Sequence, residues 1–129
     1  MMTVASTGKA MELADQSEAD DFPIDVDSIS SHTDSVLSLR MGTTTRAAMD
    51  QHLPRIAKEL NHLLAEDLGA EDDSDVRDLV RKGTRLVDLT NRPNAETPTF
   101  GNFLHLRDVA LLTRRLLWIY SERNGLDAP

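Results

Sequence analysis

The sequence predicts an all-α protein, an antiparallel bundle of four helices preceded by a disordered acidic tail. Apolar residues recur at spacings of three and four along most of the 129 residues, and no stretch alternates as a strand would. Glycines, prolines and acidic runs divide the chain into segments of helical length. Because the joining loops are short, neighbouring helices should run antiparallel. Aromatic residues make up only 4% of the chain, so the core must consist mainly of Leu, Val, Ile and Met.

The negative charge lies mainly at the N-terminus. Residues 1–42 contain eight acids and two bases (net −6), whereas residues 43–129 contain fourteen acids and twelve bases (net −2). No helical or strand period persists over residues 1–21, which we interpret as a disordered acidic tail. Residues 22–129 then form the helical bundle domain. Such tails most often increase solubility, although an acidic tail can also mimic nucleic acid or shield a basic partner.

The first two predicted helices differ in strength. A weak, Ser-rich first helix is capped by Asp25 or Asp27, ends near Arg40, and buries Val26, Ile29, Val36 and Leu37. The second helix has a clear apolar stripe, a cap at Thr43, Thr44 or Thr45, and an end near Leu68-Gly69. Pro54 falls on its polar side, so the helix can continue through it with one hydrogen bond lost. Alternatively, the helix begins near Gln51 and has Pro54 in its first turn.

The third helix follows the acidic run 71–75 and is capped by Asp73 or Ser74. Five apolar residues should face inward: Val76, Leu79, Val80, Leu86 and Val87. Gly83 lies on the same stripe, where a missing side chain would let another helix approach closely.

The fourth helix covers residues 103–123. It is capped by Thr99 or Asn102, and Gly125 ends it. This helix has apolar residues on both faces. Its inward face comprises Leu106, Val109, Ala110, Leu116, Leu117 and Tyr120. On the opposite face, three large apolar residues spaced by seven interrupt a charged surface: Leu104, Leu111 and Trp118, here called the seam. The surrounding charged residues are Arg107, Asp108, Arg114, Arg115 and Glu122.

Three interpretations of the seam remain open. It is part of the core, covered by the first helix through Ile29 and Val36; it joins two copies of the chain; or it binds a different protein. Heptad spacing suits helix–helix association, although three positions are too few to define a coiled coil. We therefore expect a non-enzymatic interaction or regulatory module, with a second copy or another protein as its partner.

No residue pattern indicates catalysis, a cofactor or a metal. Glu59 and His62 have the spacing of di-iron bundles, but both lie on the polar side of their helix, outside its apolar stripe. A second such pair and two further inward Glu residues are also missing. The acidic run 71–75 lacks the central Gly and distal Glu of a calcium loop. The four histidines show no ligand spacing, and the absence of cysteine excludes a disulfide framework. No apolar run could span a bilayer and no signal peptide is evident, so a cytoplasmic location is expected.

The alternative function is that of a DNA-associated regulator. Arg77, Arg81 and Arg85 form a basic row on the third helix, a pattern that a DNA-recognition helix also shows. Nearby acids can pair with this row, notably Asp73 with Arg77, and the net charge of −8 disfavours attraction to nucleic acid.

The order of features resembles a family of small, uncharacterised actinobacterial helical proteins loosely labelled "natural product biosynthesis". The matching stretches are Ile24-Asp25-Val26-Asp27, His52-Leu53-Pro54-Arg55-Ile56, and the Arg-Leu-Leu rhythm between Leu112 and Tyr120. In such relatives an acid typically follows the proline, where this chain has Arg55. The resemblance spans residues 22–124. It implies an all-α fold, a helical first segment and a mid-helix Pro54, and it transfers no catalytic residue.

Overall fold

The computed structural model describes residues 24–88 and 92–126, which form four helices and no strand. The helices are α1 (Val26–Leu37), α2 (Arg46–Leu64), α3 (Ser74–Val87) and α4 (Thr99–Arg123). The all-α prediction is thus confirmed for this part of the chain. None of these helices is both long enough and apolar enough to cross a membrane. The acidic tail predicted over residues 1–21 lies outside the described residues.

Helix α1 depends on tertiary packing more than on its own propensity. The Asp25 carboxylate caps it by accepting a 3.1 Å hydrogen bond from the Ser28 backbone N–H. The helix ends at Leu37, three residues before the predicted Arg40. Burial of Ile29 and Val36 in the core offsets the weak propensity of its Ser-rich sequence.

Helix α2 runs through its proline, as the first of the two interpretations predicts. Thr45 caps it by accepting from the Ala48 N–H, and Pro54 lies inside it at an exposed position. The helix ends at Leu64, four residues before the predicted end at Leu68. Gly69 has φ +83° and accordingly shapes the following loop rather than ending the helix.

Helix α3 covers one edge of the bundle. The Asp73 carboxylate accepts from the N–H groups of Asp75 and Val76, so it is the cap. Of the stripe predicted to face inward, only Val76 and Gly83 are buried; the other four residues are half-buried. At Gly83, a Cβ atom would lie 2.9 Å from Leu64 Cδ2 and 3.1 Å from Leu112 Cδ2, which confirms the predicted close approach.

Helix α4 is the centre of the fold and packs against the other three helices. It begins at Thr99 after Pro98 and has no side-chain cap, so the predicted caps at Thr99 or Asn102 are wrong. The loop before α4 is bound to the start of α2, because the Arg46 guanidinium donates to the carbonyls of Asn94 and Thr97. Gly125, with φ +66°, follows the last turn as predicted.

The predicted inward face of α4 is buried throughout. It forms the main core with Met49, Ile56, Leu60 and Leu63 of α2 and with Ile29 and Val36 of α1. The hydroxyls of the buried Thr113 and Ser121 donate to the carbonyls four residues earlier, so neither is left without a partner.

Candidate interaction surface

The outer face of α4 exposes a row of large apolar side chains. Leu104, Leu111 and Trp118 are 42%, 45% and 45% exposed. Phe100, one turn before Leu104, extends the row and is 58% exposed. These four are the exposed large hydrophobic residues of the described chain. A contiguous exposed apolar row on one helix is typical of a protein-binding surface.

The first helix does not cover the seam. Ile29 and Val36 of α1 are buried in the core with the inner face of α4. Tyr120 is nine positions after Leu111, and at 100° per residue this places it on the side of α4 opposite to the seam. The backbone of Ile24, two residues before α1, hydrogen-bonds to Tyr120. The interpretation of the seam as core therefore does not hold for the described residues.

Arginine side chains frame the seam. Arg114 and Arg115, together with Leu111 and Trp118, line a shallow depression of about 440 Å³. Neither arginine forms an ion pair or a hydrogen bond with another described residue. Both guanidinium groups are thus available to a partner that covers the apolar row.

The sequence prediction of this surface missed Phe100. With the helix expected to cover residues 103–123, Phe100 fell in the capping segment. Because α4 begins at Thr99, Phe100 instead occupies the first turn. From Phe100 to Leu104 is four residues, so the two side chains lie on one face.

The basic row of α3 is exposed but largely engaged. Arg77 donates to the carbonyls of Ala70 and Glu71 rather than pairing with Asp73, whose carboxylate caps the helix. Arg81 lies 3.7 Å from Asp78, and Arg85 also has an interaction partner. The guanidinium groups of Arg77 and Arg81 are therefore already bound to carbonyls before the helix and to a neighbouring acidic residue.

A buried polar cluster joins α1 to α2, and sequence reasoning did not find it. His32 Nδ1 lies 2.6 Å from Glu59 Oε1, and His32 Nε2 lies 3.1 Å from His52 Nδ1. The expectation that Glu59 lies on the polar side of its helix is wrong, because Glu59 is buried against His32. Residues 27 positions apart carry no local signal of such a contact; only a histidine among the inward positions of α1 could have suggested it.

Burial and neighbouring charge shift two histidines in the same direction. The pKa of His52 is lowered from its ordinary value of 6.5 by burial first, and then by His32 and Arg55. Burial also lowers the pKa of His105, an effect that Asp108 partly opposes and Arg92 adds to. Exposed His62 does not join the cluster. Among the described residues, no group of three or more His, Asp or Glu side chains is arranged so that it could hold a metal ion.

Comparison of the chain with protein-family models, curated proteins and solved structures finds no match. The resemblance to the actinobacterial helical family stays a prediction, and any function must be argued from the surface itself.

Proposed function

We propose that this protein is a non-enzymatic helical interaction module and that the outer face of α4 binds a second copy of the chain. The observation that supports this most directly is the row Phe100, Leu104, Leu111 and Trp118, each more than two-fifths exposed. The proposal includes an antiparallel four-helix bundle in the cytoplasm, with a disordered acidic tail at its N-terminus.

The spacing of the seam suits a two-fold antiparallel pair of α4 helices. If the axis passes beside Leu111, then Leu111 meets its own copy. Leu104 and Trp118, each seven residues away, lie about 10 Å on either side of the axis. Each Leu104 then packs against Trp118 of the second copy, as an isologous interface requires.

The charges beside the seam give this arrangement one attractive edge and one repulsive edge. Asp108 and Arg115 lie on the same flank of the helix, three residues before and four after Leu111, so each Asp108 faces Arg115 of the second copy. On the other flank, Arg107 faces Arg114 of the second copy. Both pairs lie at the rim, where each contributes roughly 1 kcal/mol or less.

The local charge opposes a second copy at this face less than the net charge of the whole chain does. The chain as a whole has a net charge of −8, which opposes self-association. The outer face of α4 carries three bases (Arg107, Arg114 and Arg115) and two acids (Asp108 and Glu122), a net of +1. Two acidic chains therefore meet with less repulsion through this surface than their net charges alone would give.

The expected dimer is weak. The exposed parts of the four apolar side chains amount to roughly 350–400 Å² per copy, so pairing removes about 700–800 Å² from water. Burial of this area corresponds to a favourable free energy of about 20 kcal/mol. Most of it is cancelled by the lost translational and rotational freedom of the two copies and by the ordering of side chains. A dissociation constant on the order of micromolar is consistent with that balance.

Light scattering over a concentration series tests the proposal. The wild type should pass from monomer to dimer, and the double variant Leu111→Ser, Trp118→Ser should stay monomeric while unfolding cooperatively. Arg107→Glu should tighten the dimer, because it places a carboxylate opposite Arg114 of the second copy even though it makes the chain more acidic. Arg81→Glu on α3 is the matched control, with the same charge change away from the seam.

Two outcomes refute self-association. One is a wild type that stays monomeric up to about millimolar concentration, which would assign the seam to a different protein. The other is an Arg107→Glu variant that weakens the dimer as much as Arg81→Glu does. The DNA-binding alternative makes a separate prediction: binding that falls steeply with salt and is lost in Arg81→Glu.

A further inference from the structure

The contact between α1 and α2 includes two stacked histidines. The rings of His32 and His52 have centroids 5.3 Å apart and an interplanar angle of 29°. His32 is buried and His52 half-buried, and the nitrogens that face each other are 3.1 Å apart. Beyond His32 lies the Glu59 carboxylate, 2.6 Å from the other ring nitrogen. The chain of contacts thus runs from a buried carboxylate to a partly solvent-exposed imidazole.

The number of protons on the two rings decides whether this chain of contacts can exist. An ionised carboxylate can only accept hydrogen bonds, so beside an ionised Glu59 the His32 Nδ1 must donate and carry a proton. Between His32 Nε2 and His52 Nδ1, one nitrogen must donate and the other must accept. Two neutral rings satisfy this requirement, and so does a neutral ring beside a cationic one. With both rings cationic, both facing nitrogens carry protons and no acceptor remains.

We propose that the His32–His52 pair is an acid-sensitive latch that fastens α1 to α2 and releases it when both imidazoles are charged. The latch holds with no more than one added proton on the pair. The second proton replaces a hydrogen bond by two N–H groups that point at each other, and it places two cations side by side.

The surrounding charges oppose the second proton. Arg55 of α2 lies beside the pair, with Nε 3.6 Å from Glu59 Oε2 and Nη2 3.5 Å from Ser28 Oγ of α1. Glu59 is the one carboxylate in direct contact with the pair among the described residues, and Arg55 already shares it. No hydrogen bond or ion pair of the described residues links α4 to the cluster, so α4 supplies no balancing carboxylate by direct contact.

Helix α1 is the element that release would affect. It has 12 residues, a length at which an isolated helix is marginal in water, and its sequence is Ser-rich. Its remaining attachments to the bundle are the apolar contacts of Ile29, Val36 and the preceding Ile24, together with the exposed 3.5 Å contact between Ser28 and Arg55. Release would therefore expose the inner face of α4, on the side away from the seam, and it does not depend on the proposed dimer.

Hydrogen–deuterium exchange of the full chain between about pH 7.5 and pH 5 tests the latch. Protection of α1 amides is divided by that of α3 amides to remove the intrinsic pH dependence of exchange. The ratio should stay constant above pH 6.5, the ordinary histidine value, and fall below it. The ratio should fall about tenfold for each pH unit by which release of α1 makes the second protonation of the pair easier.

Variants distinguish this pair from the other histidines. His52→Gln keeps a side chain that can donate or accept but cannot become charged, so its α1 protection should not fall as the pH is lowered. His62→Gln and His105→Gln are the matched controls and should retain the wild-type response. A pH-independent ratio in the wild type, or a His52→Gln variant whose α1 protection still falls at low pH, would overturn the proposal.

Nuclear magnetic resonance of the wild type gives a test that needs no variant to fold. The ring protons of His32 and His52 should report two separated protonation steps that both residues sense, the lower one coinciding with loss of α1 protection. Two independent steps near pH 6.5, with α1 still protected below both, would exclude the latch.

Discussion

Substitution of two leucines of α4, five residues apart, tests directly which face of the helix belongs to the core. Leu116 is 0% exposed, whereas Leu111 is 45% exposed. Truncation of Leu116 to Ala removes fully enclosed methyl groups and leaves a cavity, which should cost about 2–5 kcal/mol. Truncation of Leu111 to Ala removes atoms that border water, so no closed cavity forms. With about half of the side chain buried, the expected cost is about 1 kcal/mol or less.

Urea unfolding followed by circular dichroism measures both variants against the wild type. The runs should use protein dilute enough to be monomeric, because dimer dissociation would add to the cost of Leu111→Ala. A domain of this size has a total stability on the order of 5–15 kcal/mol, so Leu116→Ala should shift the midpoint strongly and Leu111→Ala only slightly. Equal losses in the two variants at the lowest concentration would show that Leu111 is a core residue and would refute the exposed seam.

Two further predictions concern the attachment of α3. Gly83→Val should destabilise the fold by about 1–3 kcal/mol in urea unfolding, since its Cβ would crowd Leu64 and Leu112, whereas Gly42→Val should be nearly neutral because nothing lies within 4 Å of a Cβ there. A Gly83→Val variant of wild-type stability would contradict the close approach of α3 to α2 and α4. Asp73→Ala should cost about 0.5–2 kcal/mol by thermal unfolding, because the N–H groups of Asp75 and Val76 lose their acceptor. Asp72→Ala is its control, and equal effects of the two substitutions would argue against the cap.

The sequence predicts the helices well because their determinants are local. The apolar periods of α2 and α4, the caps at Thr45 and Asp73, and the role of Gly83 all follow from spacings of a few residues. The predicted ends are less accurate. Helix α2 stops at Leu64 rather than near Gly69, because a glycine with positive φ can shape a loop as well as end a helix.

The histidine cluster could not be predicted because its determinants are not local. Glu59 and His62 share the spacing of a metal motif, yet the residue that contacts Glu59 is His32, on another helix. Periodicity places Glu59 on the polar flank of α2, whereas the packing of α1 against that flank buries it. A polar residue at the margin of an apolar stripe becomes buried or stays exposed according to which helix covers the margin, and the chain does not encode that choice within one segment.

For the seam, the sequence identifies the residues but does not determine whether they are buried. Its three residues are evident in the sequence, but whether they face a neighbour depends on how the other helices divide the surface of α4. Helices α1, α2 and α3 all pack on α4, and together they still leave Leu111 and Trp118 about half exposed. Covering this face would require a further apolar surface, and the helices of the described chain have already placed theirs in the core. Burial of an exposed leucine and tryptophan stabilises any complex that achieves it, and this is the physical basis of the proposed contact with a second copy. Because the latch acts on the far side of α4, loss of dimerisation and loss of α1 protection are separable observations, and either can fail without the other.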